Sequence, residues 1–155
     1  MKKIVLLIVS FAALLGADEG LRKVVFDLTT GDIKVFEKKV LTGIVFQKNY
    51  YENKMEELDA AVVIHGDAYK FFVKNLAQSP YKNESELQKN QPELEKRIES
   101  LSRNYHVTFL MCESGMKQHD VSQETIYPFV TTVANSTIGL IDKQNEGYAY
   151  VPIRD

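Results

Sequence analysis

Three short apolar runs constrain this chain more than any other feature: residues 24–28 (VVFDL), 60–64 (AAVVI) and 107–111 (VTFLM). The second is unbroken, and only Asp27 interrupts the first. A strand that is apolar on both sides must be covered on both sides, which is the condition of a parallel sheet wrapped by helices. The stretches between the runs carry apolar residues at helical spacing and are long enough to cross over the sheet. Residues 129–133 supply a fourth strand and residues 148–151 a fifth. The alternation of the fifth and the nearby Pro152 place it at the sheet edge. The expected fold class is therefore α/β, a single domain with a mainly parallel five-stranded sheet and helices on both faces.

The helices follow from caps and spacing. Asp32 is placed to cap a helix whose stripe is Ile33, Phe36, Val40, Leu41, Ile44 and Val45. Gly43 inside it costs about 1 kcal/mol relative to alanine. Asp67 is placed to cap a second, carrying Ala68, Phe71, Phe72 and Leu76. Residues 79–90 are polar, contain Pro80, and read as a surface excursion. Pro92 then falls in the first turn of a helix with Leu94, Ile98 and Leu101 on one face. Residues 113–123 read as irregular or as a short helix. Asn135 or Ser136 caps the last helix, with Ile138, Gly139 and Ile141 inward and Gly147 ending it.

The N-terminus reads as an address. Lys2 and Lys3 precede an apolar run over residues 4–15, and Leu15, Gly16 and Ala17 end in a small residue. That is the pattern of a secretory signal peptide over residues 1–17, with a domain over 18–155. The run is short for a membrane span, which needs about 20 residues, and no later stretch is long enough, so no stable span is expected after cleavage. The double-lysine start and short apolar core point to a bacterial periplasm, an oxidising compartment.

Charge and cysteine content remove other classes. With 19 basic and 21 acidic residues the net charge is −2, and nucleic acid is not an expected partner. The single cysteine, Cys112, excludes an internal disulfide and a cysteine-rich zinc cage. His65, Cys112, His119 and Asp120 match no compact metal-ligand spacing, so no metal is expected. There is no GxGxxG, P-loop or GxSxG motif.

Ligands of open parallel sheets bind beyond the carboxyl ends of the strands. Two chemically capable residues fall there: His65 after the second run and Cys112 after the third. Backbone N–H groups beyond a strand end stabilise a thiolate, and a thiolate attacks sulfane sulfur or a disulfide. Glu113 opposes thiolate formation. His65 is placed to activate the thiol or bind a ligand, and Gly66 allows close backbone approach. The candidate catalytic pair is thus Cys112 and His65, with Gly66, Glu113 and Asn135 as candidate ligand-binding residues. A buried, inert Cys112 in a binding or assembly module is the alternative, because free cysteine is among the most buried residue types. A cysteine hydrolase would need a base within reach and a third group to orient it.

The segments VVIHGDAYKFF at 62–72, VTFLMCESGM at 107–116 and STIGLIDKQNEGYAYVP at 136–152, in that order, resemble the DsrE/DsrF-like family. The resemblance runs from about Lys23 to Pro152. It implies a parallel α/β sandwich, assembly into homo-oligomers, and sulfur-relay chemistry with Cys112 as the persulfide-carrying position and His65 and Gly66 beside it. The implied partners are a sulfur donor or acceptor protein or a small thiol. No cofactor is implied. The signal peptide departs from the cytoplasmic setting of the sulfur carriers, and Glu113 is unusual beside a tuned thiolate.

Overall fold

The computed structural model describes residues 20–155. The expected signal peptide at 1–17 lies outside them. Five strands form one wholly parallel sheet: β1 (Leu21–Leu28), β2 (Glu57–Ile64), β3 (Thr108–Cys112), β4 (Val130–Val133) and β5 (Ala149–Ile153), in the order β4-β3-β2-β1-β5. The expected fold class is the one observed. β1 and β2 begin three residues before their apolar runs, at the solvated foot of the sheet, where Arg22 pairs with Glu56 at 3.1 Å. β5 is an edge strand, so Pro152 within it leaves no ladder bond unmade.

The major face holds most of the core. Val24, Phe26 and Leu28 of β1, Ala60, Val62 and Ile64 of β2, and Phe109 and Met111 of β3 pack there. α1 (Ile33–Phe36), a π-helical stretch over residues 37–42, α2 (Gly43–Glu52) and α3 (Ser85–Arg103) cover it. Asp32 caps α1 as expected, its carboxylate accepting from the N–H groups of Lys34 and Val35 at 2.7 and 2.9 Å. The wide π turn buries Val40 and Leu41 side by side, and Arg97 of α3 spans it, reaching Glu37 and Thr42. The minor face is smaller: Val25, Ala61, Val63, Leu110 and Tyr148, with Val133 and Leu140 against them. α5 (Ser136–Asn145) lies over it.

Three local expectations are corrected. Residues 85–90 are helical rather than a surface excursion, so Pro92 lies inside α3 and not in its first turn. Leu87 stands seven residues before Leu94, extends the same buried stripe, and outweighs the one helical hydrogen bond that proline removes. Asp67 does not cap a helix: residues 66–72 form a tight 3₁₀ turn with no side-chain cap, and Leu76 starts a separate turn. In α5, Gly139 faces inward, close against Val133, but Ile138 and Ile141 are turned out, 44% and 50% exposed. The glycine sets the helix down on the sheet, so Leu140 packs half-buried against the minor face and the two isoleucines rotate away.

Phe36 ties the major face together. It stacks on Phe71 with centroids 4.2 Å apart and meets Phe72 edge-on at 5.8 Å. Replacing it with alanine should cost about 3–5 kcal/mol in urea unfolding. A loss within experimental error would show that this contact is not central to the core.

Candidate functional site

Cys112 is the last residue of β3 and the cap of α4 (Glu113–Gln118). Its backbone is still extended, so the chain turns into the helix directly after it and the new N–H groups point back at the sulfur. Sγ accepts from the Gly115 N–H at 3.4 Å and lies 3.1 Å from Ser114 Oγ. Tyr69, buried in the turn after β2, donates its hydroxyl to the Cys112 carbonyl at 2.9 Å. Gly115 makes that approach possible, because a Cβ there would run into the Tyr69 hydroxyl.

Opposing effects act on this thiol. Burial pushes it up. The Ser114 hydroxyl, the Gly115 N–H, the Tyr69 hydroxyl and the Ser136 N–H at the start of α5 push it down, and together they prevail, so the thiol titrates below its ordinary value. The Glu113 carboxylate accepts from the Thr132 hydroxyl on β4 at 2.6 Å. Cys112 is nonetheless only 4% exposed.

His65 follows β2 directly, its N–H donating to Leu28 at 3.1 Å as the ladder with β1 runs out. The β2–β3 ladder ends at Ile64 and Met111, so His65 and Cys112 both directly follow its last rung. The imidazole does not bond to the thiol. Its Nε2 lies 2.5 Å from the Asp27 carboxylate. Asp27 also accepts from Tyr150 at 2.5 Å and from Arg154 at 3.3 Å, and Arg154 in turn reaches the Tyr150 hydroxyl at 3.0 Å. Burial raises the Asp27 carboxyl, but the hydrogen bonds from Tyr150, His65 and Arg154 outweigh it and hold the group below the usual carboxylate range. Sequence reasoning saw Asp27 only as an interruption of an apolar run. That interruption was the signal: a charge inside a doubly covered strand requires partners.

The remaining candidates have structural uses. Gly66 has φ +62° and lies against the Thr29 backbone, forming the turn that follows His65. Asn135 caps α5, accepting from the Ile138 N–H at 2.9 Å. Glu113 lines a recess of about 260 Å³ with Met116, Lys117 and Thr132. A second recess, about 290 Å³, opens near the ends of β1 and α1 between Lys34, Lys70 and Glu84, and neither His65 nor Cys112 lines it. His119 packs against Tyr69, with ring centroids 5.0 Å apart. Among the described residues, no three His, Cys, Asp or Glu side chains gather as metal ligands, and no helix is long and apolar enough to cross a membrane.

These features define a class: a parallel α/β domain with a hydrogen-bonded thiol closing its third strand. The model of the DsrE/DsrF-like family matches residues 23–153, and the chain belongs to that family. An uncharacterized protein of Aquifex aeolicus (strain VF5) is 31% identical over 133 residues, 84% of this chain but 55% of the relative, so the chain spans about half of that protein. A solved structure of a protein of unknown function from Methanobacterium thermoautotrophicum superposes with a TM-score of 0.58 at 19% identity. That match covers 84% of this chain and 98% of the other, and shows a common fold.

Two expectations follow. Removing the Ser114 hydroxyl (Ser114→Ala) should raise the midpoint of Cys112 alkylation by about one pH unit, the worth of one hydrogen bond to a charged group. An unchanged midpoint would show that Ser114 does not stabilise the thiolate. Asp27 titrates lower folded than unfolded, so its stabilisation is present above the unfolded carboxyl value, about 3.9, and is lost as pH falls through the folded value. Acid unfolding of Asp27→Asn should therefore depend less steeply on pH than that of the wild type. Equal slopes would remove Asp27 from the acid response.

Proposed function

We propose that this protein is an exported, DsrE-like sulfur-handling protein in which Cys112 accepts sulfane sulfur as a persulfide and passes it on. The observation that carries this reading is the cradle around Sγ. Ser114 Oγ stands 3.1 Å from Sγ and the Gly115 N–H donates to it at 3.4 Å, contacts that favour the thiolate without a base. Membership of a family linked to sulfur relay supports the same chemistry. No cofactor is required. The donor and acceptor are small thiols or partner proteins, and the 4% exposure of Cys112 favours a small donor. That same burial supports a second reading, a non-catalytic binding or assembly module in which Cys112 only packs. The exposed Ile138 and Ile141 on α5 and Tyr150 on β5 support assembly as a homo-oligomer. The Lys2–Lys3 start and apolar run support periplasmic export, with residues 18–155 as the mature domain.

Intact-mass analysis after incubation with polysulfide tests the chemistry. Wild type should gain one sulfur atom that a thiol reductant removes, and Cys112→Ser should gain none. A wild-type mass that does not change would favour the packing reading. N-terminal sequencing from the native host should begin at or near Asp18, and an intact Met1 on the protein would overturn export.

A further inference from the structure

Resting on the persulfide reading, we infer that His65 is the acid that protonates the sulfur leaving the donor, and that Asp27 is the positioning residue that fixes which imidazole nitrogen does so. The two groups come from neighbouring strands. Asp27 faces the minor side of β1, between Phe26 and Leu28 of the major core, and is only 4% exposed. A carboxylate held ionised offers acceptors only, so the 2.5 Å contact requires the proton on His65 Nε2. Nδ1 is left as the nitrogen that gains and gives up a proton. Tyr150 and Arg154 bond the same carboxylate and hold it in place against a histidine whose side chain is 26% exposed.

The placement separates two tasks. The groups that meet Cys112 Sγ are Ser114 Oγ and the Gly115 N–H, whereas the His65 imidazole meets Asp27, so the histidine is not placed to take the thiol proton. His65, like Cys112, directly follows the last rung of the β2–β3 ladder, and its side chain is 26% exposed where Cys112 is buried. With a persulfide donor R–S–SH, the Cys112 thiolate attacks the outer sulfur. The bond between the two donor sulfurs breaks and its electron pair stays on R–S. Cys112 becomes the persulfide and the donor is reduced to R–S⁻, which takes the Nδ1 proton of protonated His65 and departs as R–SH. His65 remains neutral, with Nε2–H on Asp27, and regains a proton from water. An acid is needed most where the leaving thiolate is basic, as for an alkyl thiol.

The test compares two reagents on the full-length protein and on His65→Gln and Asp27→Asn. With cysteine persulfide, whose leaving thiolate is basic, both variants should load Cys112 more slowly, His65→Gln by about a hundredfold. Asp27→Asn should be slowed less, because its amide can place the imidazole proton on the wrong nitrogen without removing the ring. With a nitro-substituted aryl disulfide, whose leaving thiolate needs no proton, both variants should react at the wild-type rate. That second rate also reports that the variants are folded with their thiol intact. Slowing by the same factor with both reagents, or with neither, would overturn the inference while leaving the persulfide reading standing. Failure of the wild type to load from cysteine persulfide would instead count against the persulfide reading itself.

Discussion

The structure depends on the complete burial of β2. Its residues 60–64 have no solvent exposure, enclosed by β1 and β3 at the sides and by the two core clusters above and below. Such a strand can hold no polar side chain without a partner. Polar chemistry is displaced to the point where the ladder ends, and both His65 and Cys112 stand at that point. The hydrophobic pattern that specifies the fold thereby also specifies where a reactive group can be kept.

Two polar systems meet at this end of the sheet and are built differently. The two groups that meet Cys112 Sγ, the Ser114 hydroxyl and the Gly115 N–H, both come from the turn that begins α4, where the chain reverses after β3. The Asp27 cluster is assembled from distant parts of the chain: Tyr150 and Arg154 lie 123 and 127 positions away. It forms only when β5 docks beside β1. The direct contacts to the sulfur are thus a property of one turn, whereas the orientation of His65 is a property of the whole domain.

This difference explains what could be read in advance. The strands, their burial on both sides and the strand-end positions of His65 and Cys112 were legible because each rests on a contiguous segment. Asp32 was legible as a cap for the same reason. The partnership of Asp27 with His65 was not, since nothing local marks Tyr150 or Arg154 as its partners. Nor was the role of Tyr69, whose hydroxyl reaches a residue 43 positions on through space left by Gly115. The α3 start was misplaced because Pro92 is a strong local signal and Leu87 a single apolar residue among polar ones; packing on the major face decided the outcome. The outward Ile138 and Ile141 were not legible, because the close approach that Gly139 permits, and not the larger apolar side chains, fixes the helix rotation.

Hydrogen-bond donors lower the Cys112 thiol below its ordinary value despite its burial. The pH dependence of iodoacetamide alkylation of the folded protein measures this directly. The expected midpoint lies below that of free cysteine, about 8.5. A midpoint at or above that value, or no labelling until the protein is unfolded, would contradict it and make Cys112 a packing residue.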